Sequence, residues 1–158
     1  CDAMSFELFK AGKPVIVNCG TYAYQCKERS FFRSTAAHNT VMVNDTEQSQ
    51  CWGAFRMAKR SKVNVVRVSE NSIVIELMNQ RGLAVKRTIQ LEKTIKVTDE
   101  SSKNKLTAFV HPIREIDMTF EGDAKTISQQ YAPEYGELGS LETVKYEGNE
   151  KISVEIYI

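Results

Sequence analysis

The chain has 158 residues, of which 42% are hydrophobic and 26% charged, a composition that suits one folded domain without help from disulfides or metal ions. No apolar run approaches the roughly 18 residues of a membrane-spanning helix, so we expect no membrane segment. The charge is uneven, because residues 1–114 carry 18 Lys/Arg and 10 Asp/Glu, whereas residues 115–158 carry 3 and 10. The basic part either attracts an anionic partner or forms one solvated face of a sheet.

Alternation of apolar and polar residues predicts short β-strands along most of the chain, and no segment has the periodicity of an amphipathic helix. Turn residues separate the strands at Asn71, Gly82, Glu92-Lys93 and Gly148. This spacing predicts an all-β domain over residues 1–158, an antiparallel two-sheet β-sandwich of roughly a dozen strands. The clearest predicted strands are 4–9, 63–68, 72–77, 86–91, 94–98, 106–110 and 151–158.

Three predicted loops interrupt the strands, at residues 19–36, 44–51 and 129–141. The first is too long for a plain hairpin, and loops of that length in a compact domain often carry function. It contains Tyr22 and Tyr24, whose rings can stack on a sugar and whose hydroxyl groups can donate hydrogen bonds.

The first loop leads into a polar segment around His38, one of two histidines in the chain. Arg33 can bind a carboxylate or sulfate through two parallel hydrogen bonds, and Asn39 is suited to sugar hydroxyls. His38 is either a ligand or a satisfied structural residue. His111, at the end of an apolar strand and before Pro112, is interpreted as structural.

A second cluster contains the single tryptophan, Trp52, followed by the basic residues Arg56, Lys59, Arg60 and Lys62. It is either a polyanion-binding surface or a core tryptophan beside a solvated basic strand. No sequence motif of a nucleic-acid-binding fold accompanies it, so we expect no nucleic-acid partner.

The four cysteines, Cys1, Cys19, Cys26 and Cys51, form no CxxC pair, which argues against a zinc ribbon. Cys19 and Cys26 are close enough in sequence to close a small loop in an oxidising compartment. The alternative is that all four are free thiols.

Five blocks of sequence occur in an order that resembles a known family: residues 2–8, 12–22, 32–41, 48–49 and 52–56. They resemble the heparinase II/III-like domain of polysaccharide lyases that act on heparan sulfate, alginate and related uronic-acid polymers. The match is clear over residues 2 to 56, and the rest agrees in its strand pattern and in the Tyr135-Gly136 turn.

The resemblance implies an α/α toroid domain upstream, followed by the β-sandwich. It also implies β-elimination, in which a base removes the C5 proton of a uronate, the carboxylate is neutralised and the C4–O bond breaks. The catalytic groups of the family lie in the toroid or just before residue 1, so we expect no catalytic residue in this chain and no activity from the isolated domain.

By the same resemblance, Tyr22, Tyr24, Arg33 and Asn39 face or support a cleft for acidic polysaccharide, and we predict Tyr24, Arg33 and Asn39 as the substrate-binding residues. The resemblance also implies that the protein is periplasmic or on the cell surface. The alternative is a non-catalytic carbohydrate-binding or structural sandwich from a lyase-like protein.

The resemblance also implies a zinc site. In the family, its ligands are a histidine upstream of residue 1, an aspartate at the position of Asn18, and the histidine that corresponds to His38. A neutral amide is a poorer zinc ligand than a carboxylate. We therefore expect zinc to be possible in the full-length protein, and this fragment not to bind it tightly.

Overall fold

The computed structural model describes residues 1–158 and confirms an all-β fold. The only helices are one α-helical turn, α1 (Arg29–Phe32), and a 3-10 turn at Thr35–Ala37, and neither has the length needed to cross a lipid bilayer. The regular structure otherwise consists of twelve strands: β1 (Leu8–Lys10), β2 (Lys13–Ile16), β3 (Val41–Val43), β4 (Gln50–Trp52), β5 (Arg56–Ala58), β6 (Lys62–Val68), β7 (Ser72–Met78), β8 (Ala84–Leu91), β9 (Ile95–Val110), β10 (Met118–Glu121), β11 (Asp123–Tyr131) and β12 (Gly139–Ile156).

Eight strands form one hydrogen-bonded antiparallel system in the order β10-β12-β9-β8-β7-β6, in which β11 also pairs with β12 and β3 with β9. The long strands β9 and β12 take part in two layers. Near the middle of each, one residue adopts a left-handed conformation, Lys103 (φ 58°) in β9 and Glu150 (φ 63°) in β12. The two small hairpins β1-β2 and β4-β5 complete the fold.

The two layers enclose the main hydrophobic core of 16 buried residues, and a smaller cluster of four buried residues lies apart from it. Both halves of the long strands contribute to the main core, for example Val97 and Val110 from β9. Phe120 of β10 packs against Tyr146 in the first half of β12, with ring centroids 5.1 Å apart. The contact joins the layers face to face, as expected for a sandwich.

A buried ion pair ties the polar segments to the sheet. Arg87 of β8 donates from Nε and Nη2 to the two carboxylate oxygens of Asp99 in β9, both at 2.7 Å. Its Nη1 donates to the carbonyl oxygens of Met4 (2.9 Å) and Asn39 (2.8 Å). One guanidinium group thus holds the N-terminal segment and the segment after His38 against the core.

Three sequence predictions are wrong in detail. Residues 4–9 are not one strand, because Met4 has φ 61° and the Ala3 N–H donates to the Gln48 side chain, so β1 starts only at Leu8. The predicted loop 129–141 is shorter, since β11 continues to Tyr131 and β12 begins at Gly139. Gly148 lies inside β12 and is not a turn residue.

Candidate functional site

Three aromatic rings from three loops meet on the surface and form what we call the aromatic platform: Tyr24, Phe55 and Tyr135. The Tyr24 ring lies between the other two, with centroid distances of 5.8 Å to Phe55 and 5.7 Å to Tyr135. The rings remain 46%, 66% and 66% exposed, respectively. Exposed apolar residues in contact with one another, as opposed to scattered ones, are typical of binding surfaces.

Backbone contacts fix two of the three loops to each other. Gly20 forms a parallel bridge with Ala132, and the Ala132 N–H donates to the Cys19 carbonyl oxygen at 2.8 Å. The Gly136 N–H donates to the Tyr22 carbonyl oxygen, also at 2.8 Å. Gly20 has φ 80°, and a Cβ at this position would collide with the Ala132 carbonyl oxygen. Only glycine therefore allows this approach without strain.

Two arginines hold the third loop, the turn between β4 and β5 that carries Phe55. Arg33 donates from Nη1 to the Gly53 carbonyl oxygen (2.6 Å) and from Nη2 to the Arg56 carbonyl oxygen (2.9 Å). Arg29 donates from Nε to the Ala54 carbonyl oxygen at 3.3 Å. Arg33 is only 9% exposed. Its predicted role as a substrate ligand stays a prediction, whereas its role in shaping this turn is visible in the structure.

Charged residues accompany the three rings. The Arg29 guanidinium lies over the Tyr24 ring at 5.2 Å from the centroid, in a cation–π contact. Arg56 and Glu134, the chain neighbours of Phe55 and Tyr135, are both exposed. A ligand with both flat apolar faces and negative groups matches the rings and Arg29.

Trp52 extends the exposed apolar surface of the β4-β5 hairpin. It is 45% exposed, so the alternative interpretation of a core tryptophan is wrong. The following basic residues Lys59 and Arg60 are also exposed.

Asn39 lies beneath the surface and is completely buried. Its Nδ2 donates to the carbonyl oxygens of Phe6 and Val17, both at 2.9 Å. Its Oδ1 accepts from the His111 backbone N–H (2.8 Å) and lies 2.9 Å from His111 Nδ1. A buried amide with all these partners contacts no ligand directly in this conformation. Its substrate-binding role stays a prediction, which this position does not favour.

The two predicted metal ligands, Asn18 and His38, provide a poor donor set for zinc. Asn18 Oδ1 already accepts hydrogen bonds from Ser5 Oγ (2.8 Å) and from the Asn39 backbone N–H (3.1 Å). His38 Nδ1 is buried without a hydrogen-bond partner. The chain contains no group of three or more His, Cys, Asp or Glu side chains placed to hold a metal ion. Whether this chain binds zinc stays a prediction.

Both histidines are held neutral by their surroundings. Burial lowers the pKa of His38 to about 4. Burial likewise lowers the pKa of His111 to about 4, opposed by hydrogen bonds to Gln129 and to the Ala36 carbonyl oxygen. His111 is interpreted correctly as a structural residue, since it is fully buried and bonded on both ring nitrogens.

These lowered pKa values predict loss of stability in mild acid. An unfolded histidine has a pKa of about 6.5, so between that value and about 4 the unfolded chain binds more protons than the folded one. Protonation then favours unfolding, and stability present at pH 7 is lost as the pH falls. We expect the free energy of unfolding to drop by about 1–3 kcal/mol per histidine between pH 7 and pH 4, measured by urea denaturation. A His38→Gln variant should show a smaller drop. Equal stability of the native chain at pH 7 and pH 4 would contradict this prediction.

Sequence reasoning singled out Tyr24 but missed the platform as a unit. Tyr135 lies in the predicted loop 129–141 and Phe55 in the sequence block 52–56, yet nothing local indicated that their rings meet. Arg29 was not singled out at all. The available signal is the presence of aromatic residues in two of the predicted loops, 19–36 and 129–141, and shortly after the third.

The comparisons with known proteins agree with this architecture. The sequence model of a family described as "Heparinase II/III-like, C-terminal" matches residues 1–136. A structure of heparinase III superimposes with a TM-score of 0.76 and 17% identity, over 99% of this chain and 30% of that one. Heparan sulfate lyase HepC from Pedobacter heparinus gives a TM-score of 0.65 and 14% identity over 99% and 30% of the two chains. The chain thus spans about 30% of the length of these structures. No curated protein sequence matches significantly.

Proposed function

Because this chain belongs to the Heparinase II/III-like, C-terminal family, we propose that it is the β-sandwich domain of a polysaccharide lyase. In the longer protein it forms one wall of a cleft for a uronic-acid-containing polysaccharide, which is cleaved by β-elimination. An α/α toroid domain in the same chain supplies the opposite wall. The aromatic platform of Tyr24, Phe55 and Tyr135 is the observation that carries this proposal.

The platform matches an acidic sugar polymer in two respects. Pyranose rings present flat faces of C–H groups, which pack on exposed aromatic rings, and three adjoining rings offer space for more than one sugar unit. The carboxylate or sulfate groups of the polymer pair with arginine in a bidentate manner; Arg29 lies over the Tyr24 ring, and the exposed Arg56 follows Phe55 in the chain. A neutral apolar ligand would form no ion pair with these arginines.

Binding and chemistry are divided between the domains in this proposal. A general base for the C5 proton must reach the substrate and be unprotonated, and neither histidine here is placed for that task. His111 is fully buried, and His38 is half-buried, with its Nδ1 atom shielded from solvent. The isolated domain therefore binds polysaccharide without cleaving it. Incubation of this chain with heparan sulfate or alginate should produce no ultraviolet absorbance of unsaturated uronate, and appearance of that absorbance would contradict the division.

Isothermal titration of the chain with heparan sulfate or alginate oligosaccharides tests the binding site. Tyr24→Ala and Phe55→Ala should each weaken the affinity about tenfold or more, because each removes a ring that contacts the sugar. Phe9→Ala is the matched control, since Phe9 is also an exposed ring (55%) but belongs to the β1-β2 hairpin. Equal affinities for the native chain and all three variants would sink the proposal.

The alternative, a non-catalytic carbohydrate-binding or structural domain of a lyase-like protein, is favoured by one observation. Asn18 Oδ1 is already engaged by hydrogen bonds, and by the resemblance Asn18 stands where the family has a zinc-ligating aspartate. Zinc in the full-length protein, with His38 Nδ1 as one ligand, stays a proposal, as does a periplasmic or cell-surface location. Release of unsaturated uronate by the full-length protein would decide in favour of the lyase.

A further inference from the structure

The structure brings two thiols together that are 50 residues apart in sequence. Cys1 Sγ lies 3.6 Å from Cys51 Sγ, so the two sulfur atoms are in contact but not bonded. A disulfide bond is about 2.05 Å long, and small rotations of both side chains bridge the remaining distance. We propose that Cys1 and Cys51 are a disulfide-forming pair, which fastens the N-terminal segment to the β4-β5 hairpin.

The surroundings hold both cysteines in place for this reaction. The backbone nitrogen of Cys1 donates to the Arg33 carbonyl oxygen at 2.9 Å, and its thiol lies 3.5 Å from the Ser49 carbonyl oxygen. Cys51 is held in strand β4. The two residues are both half-buried and line one cavity of about 210 Å³, which gives a small thiol reagent access to them.

The other two cysteines have different surroundings. Cys19 is completely buried, and burial raises the pKa of its thiol to about 12, so it is neither accessible nor ionised. Cys26 is half-buried, and its thiol donates to the Ala23 carbonyl oxygen at 3.4 Å. Both are free thiols in the structure, and the Cys19–Cys26 loop considered from the sequence is not formed.

The reaction balances with a small-molecule disulfide such as oxidised glutathione as the oxidant. The thiolate of one cysteine attacks the reagent and releases one thiol, which leaves a mixed disulfide on the protein. The second cysteine then attacks the protein sulfur of that mixed disulfide and releases the second thiol. Two protein thiols become one disulfide, and one molecule of reagent is reduced to two thiols.

The bond would reinforce the turn that carries Phe55. The N-terminal segment and Arg33 already contact each other, and Arg33 holds the Gly53 and Arg56 carbonyl oxygens of that turn. A covalent loop of this length reduces the conformational entropy of the unfolded chain. The bond should therefore raise the melting temperature of the domain by roughly 5–10 °C. The proposal is independent of which ligand the platform binds.

Peptide mapping after oxidation identifies the bond without ambiguity. The chain is equilibrated with a glutathione redox buffer, alkylated and digested with trypsin without reduction. Cys1 lies in peptide 1–10 and Cys51 in peptide 34–56, whereas Cys19 and Cys26 share peptide 11–27, because trypsin does not cleave between Lys13 and Pro14. We expect peptides 1–10 and 34–56 to appear as one linked species and the free-thiol count to fall from four to two.

Two variants complete the test. Cys51→Ser should retain three thiols under the same oxidation and lose the increase in melting temperature, whereas Cys26→Ser, the matched control, should form the linked species normally. Near-ultraviolet circular dichroism verifies that each variant is folded. A bond that involves Cys19 or Cys26, glutathione adducts without the linked species, or an unchanged thiol count in the native chain would overturn the proposal.

Discussion

Replacement of Arg87 by methionine is expected to lower the free energy of unfolding by about 3–5 kcal/mol. The side chains of Arg87 and Asp99 are 1% and 0% exposed, so loss of the cation leaves a buried carboxylate with no counter-charge. The same change leaves the Met4 and Asn39 carbonyl oxygens without their charged donor. Urea denaturation monitored by circular dichroism measures the effect.

The neighbouring residue provides the control. Lys86 forms an ion pair with Glu100 at 2.8 Å, but both side chains are well exposed, 46% and 40%. Lys86→Met should therefore change the free energy of unfolding by less than about 1 kcal/mol. An Arg87→Met/Asp99→Leu double variant removes both buried charges and should recover part of the stability. Equal effects of the Arg87 and Lys86 changes would show that the buried pair does not hold the N-terminal segment in place.

Replacement of Gly20 by alanine is expected to destabilise the domain by about 3 kcal/mol or more and also to weaken carbohydrate binding. The left-handed backbone costs a residue with a side chain about 1–2 kcal/mol, and the collision with the Ala132 carbonyl oxygen adds an overpacking cost of about 1–3 kcal/mol. Because the Gly20–Ala132 bridge joins the loops of Tyr24 and Tyr135, the rings should separate although neither is changed.

Gly12 offers a matched comparison, since it has a similar φ of 74° but no atom within 4 Å of an added Cβ. Gly12→Ala should show only the backbone cost, about 1–2 kcal/mol, and native affinity for oligosaccharide. Both properties are measurable on one preparation, by denaturation and by titration calorimetry. If Gly20→Ala binds oligosaccharide as the native chain does, the platform does not depend on this bridge.

The sequence predicted those strands and turns that depend on interactions between residues close together in the chain. Strands β6, β7 and β8 follow from period-two alternation and from the turns at Asn71 and Gly82. The 16-residue strand β9 was not predicted as one element, because the polar residues around Lys103 mask its continuity across the bend. Residues 4–9 alternate like a strand, but their polar groups bond to distant residues.

The sequence predicted residues of the types that the site contains, but it did not predict what each side chain does there. Arg33 and Asn39 were singled out because their side chains can bond a sugar, but sequence does not reveal which partners lie nearby. In the fold, Gly53 takes one donor of Arg33, and His111 occupies the Asn39 oxygen. The Tyr24 ring is exposed, and the rings that it contacts come from loops distant in the sequence. The Cys1–Cys51 contact also joins residues that are far apart in the sequence, so the sequence did not predict it.

The most direct test of the proposed function is to map the oligosaccharide-binding surface by nuclear magnetic resonance. Isotope-labelled chain would be titrated with a heparan sulfate oligosaccharide and the chemical shifts of each residue followed. We predict the largest changes at Tyr24, Phe55 and Tyr135 and at the side chain of Arg29. Changes confined to another surface, such as the basic strand β6, or no change at saturating oligosaccharide, would contradict the assignment of the aromatic platform as the polysaccharide-binding wall.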